Sequence, residues 1–347
     1  MVRFMRSSVV LPLLLLPLLV LLGSGCYRWA QVPVGVEQRV LNLSVSGLTQ
    51  RYTVLEPQQS PTQSQRRRPA MILLHSGFSG DERNTAELAR TLAQRGLTVI
   101  LPAYRGQIRK LDGKRSEGMI EFCEGEVDDA QAAFDWLAQQ PAIDPLRIGV
   151  MGASHGGCIA LRLGVRDPQL RLVVALSAPV AAAQLLRHLQ DQPTRTFFYN
   201  GILASQLLSY LQGAPEHYPE AYAERSPLFT ADQLQMPLLI LHGTKDSIVP
   251  VEQACWLVHV LRDSGRTIHE SWITPQGLRQ EVTTSQCPPM PVQPVPPRRE
   301  PQPIRKSTNK ARTELVLLQQ QSHFYDAKIA AAAREVAIRF LLEELFR

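Results

Sequence analysis

Aromatic side chains are scarce in this chain of 347 residues: Phe, Tyr and Trp together make up 6%. None falls within the two basic clusters, Arg66 to Arg68 and the group Arg298, Arg299, Arg305, Lys306, Lys310 and Arg312. The stacking platforms that single-stranded nucleic acid requires are therefore missing, and nucleic acid is not an expected partner. The net charge of +6 is concentrated in these loop-like clusters and reads as solvated linker charge, with contact to anionic lipid as the alternative. Cysteine is also sparse, and the five residues match no zinc-ligand spacing. No repeat recurs at solenoid spacing. Uninterrupted apolar runs are short as well. The longest apolar stretch, Val9 to Leu22, is itself broken by Pro12 and Pro17 and falls short of the roughly 20 residues a membrane-crossing helix needs.

That run has a different use. Arg3 and Arg6 precede it and Gly23-Ser24-Gly25-Cys26 follow it, the layout of a signal peptide over residues 1–26. The end of the segment resembles a bacterial lipoprotein signal, with Gly23 standing where a leucine is usual. The resemblance implies export to the cell envelope and membrane anchoring through a lipid on Cys26; without the lipid the chain would be periplasmic or secreted. An exported compartment permits disulfides among Cys123, Cys158, Cys255 and Cys287, but spacing does not fix their pairing. Cys158 and Cys255 fall in expected helices and read as core residues rather than redox centres.

Residues 27–68 read as a hairpin and linker, with alternating apolar and polar residues over 39–45 and 50–55 on either side of Gly47. From residue 69 to 347 strands and helices alternate. Met71-Ile72-Leu73-Leu74 is a continuous apolar strand, 85–94 a helix, 97–101 a strand and 126–139 a helix. Strands at 147–151 and 172–176 flank a helix at 155–165. The rhythm predicts an α/β fold with a doubly wound, mostly parallel sheet. Residues 181–231 interrupt it with amphipathic pieces, a small helical cap. It resumes with a strand at 237–241, a helix at 251–262 and strands at 267–273 and 315–318, ending in a helix over 326–346. Residues 275–312 hold nine prolines and many charges, the composition of a disordered, mobile insertion.

Gly152-Ala153-Ser154-His155-Gly156 fits G-x-S-x-G, and here an apolar strand precedes it and a helix follows it. A serine hydroxyl attacks only when held in the open beside a base, and a sharp strand-to-helix turn provides that exposure. The new helix aims the His155 N–H at the space above Ser154, where an oxyanion would form. A second donor is expected after the first central strand, in His75-Ser76-Gly77-Phe78, at the Gly77 or Phe78 amide. Asp246 closes the turn His242-Gly243-Thr244-Lys245-Asp246 after an apolar strand and is the expected acid. Only His259, His269 and His323 follow it. His259 lies in mid-helix and His269 in a strand, so His323, in a loop before the last helix, is the preferred base and His269 the next choice.

In combination these residues resemble the catalytic domain of the prolyl oligopeptidase family of serine peptidases, and nearly as well the dienelactone-hydrolase-like esterases, all within the α/β-hydrolase superfamily. The stretches that carry the resemblance are Val127-Asp128-Asp129 to Asp135-Trp136-Leu137, Ile143 to Gly149, Ser154-His155-Gly156-Gly157, Tyr104-Arg105-Gly106, Arg225-Ser226-Pro227 and 237–250. The resemblance implies Ser154 as nucleophile, Asp246 as acid and His323 as base, acting on an ester or a short peptide with neither cofactor nor metal. Serine at 154 departs from the cysteine of dienelactone hydrolases. The short segment before the first central strand has no room for the propeller that gates the larger oligopeptidases. The competing expectation is a non-catalytic, envelope-anchored binding protein that keeps the fold, an idea the basic insertion and the lipoprotein-like start both motivate.

Overall fold

A computed structural model describes residues 35–58, 67–77, 83–108, 113–191, 197–282, 285, 287 and 311–347. The signal segment, Cys26 and Phe78 lie outside these residues, as does most of the stretch 275–312.

One ten-stranded sheet organises the fold. Strands β1 (Val36–Val45) and β2 (Leu48–Pro57) form the antiparallel hairpin expected at the start. The central strands are β3 (Arg68–Leu74), β4 (Thr98–Ala103), β5 (Ile143–Ala153), β6 (Leu172–Leu176), β7 (Leu238–Gly243), β8 (Ile268–Ile273) and β10 (Thr313–Leu318). They run parallel in the order β4-β3-β5-β6-β7-β10-β8. β2 adds to β4 antiparallel. The far edge carries a strand inside the stretch expected to be a structureless insertion: β9 (Arg279–Glu281) pairs antiparallel with β8. The turn at Gly277 permits it, donating its N–H to the Thr274 carbonyl at 2.8 Å with φ of 80°. A strand this short needs only an open sheet edge, so the composition of the wider stretch does not reveal it.

The central strands are apolar throughout because both faces are covered. In β3, Ala70, Ile72 and Leu74 join one core, while Met71 and Leu73 join the other. This split follows from the period of two along a strand. The first core packs against helices α2 (Gly125–Ala138), α3 (His155–Arg166) and α7 (Glu252–Asp263). The second packs against α1 (Arg83–Gln94) and α8 (Ala327–Leu345). Asp326 caps α8, its carboxylate accepting the Ile329 N–H at 3.0 Å. Between β6 and β7 lies the cap: α4 (Ala182–Asp191), α5 (Phe197–Tyr210), α6 (Pro219–Glu224) and a 3-10 helix, Pro227–Gln233.

All four cysteines of the described residues are paired, Cys123 with Cys158 and Cys255 with Cys287. Cys158 and Cys255 are core residues as expected, and they are bridged as well. Just past β4, Arg105 turns inward onto α2. Its guanidinium donates to Asp129 at 3.0 and 3.3 Å, and its backbone N–H reaches the same carboxylate at 3.0 Å. Asp129 is fully buried, so removing it leaves the buried guanidinium only the half-exposed Glu121 at 2.8 Å and Asp128 at 3.8 Å as partners. Asp129→Ala should cost about 3–5 kcal/mol, whereas Arg334→Ala, which breaks the exposed pair with Glu87, should cost less than about 1 kcal/mol. Urea unfolding of the two variants tests the contrast.

Candidate active site

In a parallel sheet of this kind, side chains converge where the strands end, at the carboxyl edge. Gly77 follows β3, Ser154 follows β5, Asp246 follows β7 and His323 follows β10, so residues scattered over the chain share one edge. Ser154 sits at φ 52°, ψ −119°, backbone that a residue with a side chain adopts only under constraint. The constraint is close packing on either side. A Cβ at Gly156 would lie 2.5 Å from the Leu74 carbonyl oxygen and 2.6 Å from that of His75, and one at Gly152 would lie 2.0 Å from the Gly156 oxygen. The glycines of the motif let α3 begin directly against the end of β3.

Asp246 and His323 are joined. The His323 Nδ1–H donates to Asp246 Oδ2 at 2.7 Å, which leaves Nε2 as the nitrogen with a free lone pair. The other carboxylate oxygen accepts the Ile248 and Val249 N–H groups at 3.0 and 2.9 Å. Burial opposes ionisation of Asp246, but the His323 hydrogen bond, the neighbouring imidazoles and the Val249 amide outweigh it and hold the carboxyl below its ordinary range. His242 is fully buried beside it, donating Nε2–H to the Val249 carbonyl at 2.8 Å. Burial depresses its basicity more than the adjacent Asp246 raises it.

The loop that carries His323 lies over Gly243, where a Cβ would come within 2.5 Å of the Gln321 carbonyl oxygen and 2.7 Å of that of Ser322. It is tied down by Lys245 N–H to Gln321 O at 2.8 Å and by the Tyr325 and Ser177 hydroxyls at 2.8 Å. The other two downstream histidines stay away from the site, as expected: His269 is exposed in β8 and His259 lies within α7.

Ser154, His155, Gly77 and His323 line one cleft. Its apolar wall comes largely from Leu185, Leu189, Leu203 and Leu207 of the cap helices and from Ile248 and Val249. Among the described residues no Asp, Glu, Lys or Arg lines it. Among the same residues no group of His, Cys, Asp and Glu is arranged to hold a metal ion.

The model of the prolyl oligopeptidase family matches residues 84–277, more than half of the sequence. The chain belongs to the prolyl oligopeptidase family. It is 26% identical over 181 residues to the uncharacterized peptidase YtmA of Bacillus subtilis, covering 52% of this chain and 63% of that protein. It is 25% identical over 209 residues to acylamino-acid-releasing enzyme 2 of Oryza sativa subsp. japonica, covering 58% of this chain and 26% of that protein. Among solved structures, the acylaminoacyl peptidase of Pyrococcus horikoshii superposes with a TM-score of 0.62 at 15% identity, over 89% of this chain and 41% of that one. The puromycin-hydrolyzing peptidase of Mycobacterium tuberculosis superposes with a TM-score of 0.63 at 20% identity, over 89% and 40%. These solved structures show the shared α/β-hydrolase fold. In each of these pairings the chain spans less than two-thirds of the relative's own length.

In this prolyl oligopeptidase family member the residue after the serine contributes more than its amide. The His155 side chain is buried under the site, and its Nε2 accepts the Cys123 N–H at 3.1 Å. Phe122 stacks on the imidazole with centroids 5.4 Å apart, and Tyr104 meets it edge-on at 5.6 Å. Burial depresses its pKa to about 3 despite the opposing effect of the Gly77 backbone, so the ring is neutral and its Nε2 remains an acceptor. Sequence reasoning saw His155 only as an amide donor and missed Phe122, since neither the segment 121–124 nor its bridge has a motif. In the unfolded chain His155 regains its ordinary value of 6.5. The unfolded state therefore takes up a proton that the folded state refuses, and stability present above that value is lost as the pH falls toward 3. Between pH 7.5 and 5 this contributes a loss of about 2 kcal/mol. His155→Phe should remove that share of the pH slope, measured by urea unfolding at the two pH values.

Proposed function

We propose that this protein is a metal-independent serine hydrolase of peptidase type that cleaves an ester or amide bond through an acyl-enzyme on Ser154. The observation that carries this reading is the shared cleft: Ser154 on its constrained turn and His323, hydrogen-bonded to a buried Asp246 at 2.7 Å, line the same cleft. Family membership supports it. His323 Nε2 takes the Ser154 proton as the hydroxyl oxygen attacks the carbonyl carbon. Asp246 keeps the Nδ1 tautomer and stabilises the imidazolium that forms. The oxyanion is held by the His155 N–H at the start of α3 and by an amide of the turn at Gly77 or Phe78. His323 then protonates the leaving group, and water, deprotonated by the same ring, hydrolyses the acyl-enzyme.

The lining of the cleft supports a reading of the substrate class. Among the described residues the walls are apolar and carry no charged side chain, which suits a neutral, apolar acyl group better than a free peptide terminus. An N-blocked or apolar peptide or a hydrophobic ester fits best, in keeping with relatives named acylamino-acid-releasing enzymes. We place the protein outside the cytoplasm, attached to the envelope if Cys26 is lipidated; the signal-like start and two disulfides support this.

Ser154→Ala should lower turnover of nitrophenyl esters and aminoacyl nitroanilides by about 10³-fold or more and abolish labelling by a fluorophosphonate. Asp246→Asn should lose about 10³–10⁴-fold, because it frees the wrong tautomer. Near-full activity of Ser154→Ala would overturn the assignment. A folded wild type that neither labels nor hydrolyses either substrate class would favour a binding protein instead.

A further inference from the structure

The segment that carries Phe122 is fastened more heavily than a surface loop requires. Phe122 and Cys123 lie at φ 53° and 60° in succession, a left-handed pair that two residues with bulky side chains keep only when their surroundings dictate it. The surroundings do so from several directions. The fully buried Glu126 carboxylate accepts the Glu121 N–H at 2.8 Å and the Glu124 N–H at 3.3 Å. Arg225 donates to the Glu121 carbonyl at 2.8 Å, and Arg162 to the Cys123 carbonyl and the Glu124 carboxylate. Cys123 donates its N–H to His155 and its sulfur bridges to Cys158, one turn beyond Ser154 on α3. Within the segment only Phe122 lines the cleft, its ring parallel to that of His155 at 4°.

We propose that the Cys123–Cys158 bridge and the His155 imidazole are positioning groups that lock Phe122 in place as a rigid wall of the acyl pocket, so that recognition of the acyl chain depends on a disulfide that never touches substrate. The inference rests on the hydrolase reading above. Its chemistry is steric. The cap supplies aliphatic side chains on helices α4 and α5, and Phe122 supplies a flat aromatic surface fixed to the helix that bears the nucleophile. A long apolar acyl group is held between such walls, whereas an acetyl group is too short to use them. The second bridge joins α7 to Cys287, and neither of its cysteines lines the cleft, which makes it an internal control.

The test compares kcat and KM for acetyl, butyryl and octanoyl nitrophenyl esters in the full chain. With Cys123→Ser and Cys158→Ser together, KM for the octanoyl ester should rise about tenfold or more, while the acetyl ester and kcat change little. Cys255→Ser with Cys287→Ser should lower the melting temperature but keep the wild-type chain-length profile. Phe122→Ala should reproduce the profile of the first double variant and carries the test if that variant does not fold. His155→Gln, whose amide oxygen can still accept the Cys123 N–H, should keep more of the octanoyl preference than His155→Phe. An unchanged chain-length profile in Phe122→Ala, or the same shift in both double variants, would sink the positioning role. Wild-type hydrolysis and fluorophosphonate labelling report separately on the hydrolase reading, so the two failures can be told apart.

Discussion

The backbone at Ser154 is held at φ 52°, ψ −119°, and the other parts of the site depend on that turn. A relaxed serine at the end of β5 would carry its side chain to one face of the sheet and into a core. The sharp turn instead ends β5, starts α3 one residue later and leaves the hydroxyl on the rim. It persists because the Ser154 N–H is bound to the Leu176 carbonyl at 2.7 Å, while the Ser154 carbonyl accepts the Gly157 and Cys158 N–H groups at 2.9 and 3.2 Å. The same close packing that seats Gly156 on the end of β3 sets the distance between α3 and the turn at Gly77. One packing contact thus fixes both the Ser154 turn and its position relative to the turn at Gly77.

The parts legible in the sequence are those where a local pattern has a single structural solution. The continuous apolar run Met71 to Leu74 suits a strand covered on both faces, and it is one. G-x-S-x-G between a strand and a helix suits the turn that the structure contains. The order serine, aspartate, histidine left three candidate imidazoles, and loop placement separated His323 from a helical and a strand histidine. What could not be read depends on contacts between distant segments. The pairing of Cys123 with Cys158 follows from how α2 packs on α3. The clearance that Gly243 gives the His323 loop is visible only once that loop is seen crossing above it. Phe122 and Cys123 adopt left-handed backbone with no glycine to announce it, since tertiary contacts rather than local preference impose it. The strand β9 escaped notice because three residues with an edge to pair against need no strong pattern of their own.

The basic and Pro-rich clusters draw attention in the sequence, yet the described structure assigns them little. Arg68 is partly buried and bound to Glu56 and to the Thr98 hydroxyl at 2.9 and 2.7 Å. Arg312 sits among Glu314, Glu343 and Glu344 at the amino end of β10. Both are at the edge of the sheet away from the cleft, so these cations act in ion pairs that fasten strand starts, not in recognition at the site.

The cleft and Asp246 are fastened through the same few residues, and this coupling is a consequence of topology. The cap is an excursion between β6 and β7, so its two roots lie beside the strand ends that carry the acid loop. His188 of α4 and Asn200 of α5 both donate to the Ser247 carbonyl, at 2.9 and 3.2 Å, one residue beyond Asp246. Gln253 at the start of α7 accepts the Val180 and Ala181 N–H groups at 2.8 Å each, which fixes where the cap departs from the sheet. Ile248 and Val249 then present side chains to the cleft while their N–H groups bind the Asp246 carboxylate. A change that tilts α4 or α5 must therefore pull on Ser247, and through it on the hydrogen bonds that keep Asp246 ionised and aimed at His323. Cleft shape and the geometry of Asp246 and His323 are not independent in this chain. Substitutions in the cap that widen the pocket will be tolerated chiefly where they leave the His188 and Asn200 contacts intact.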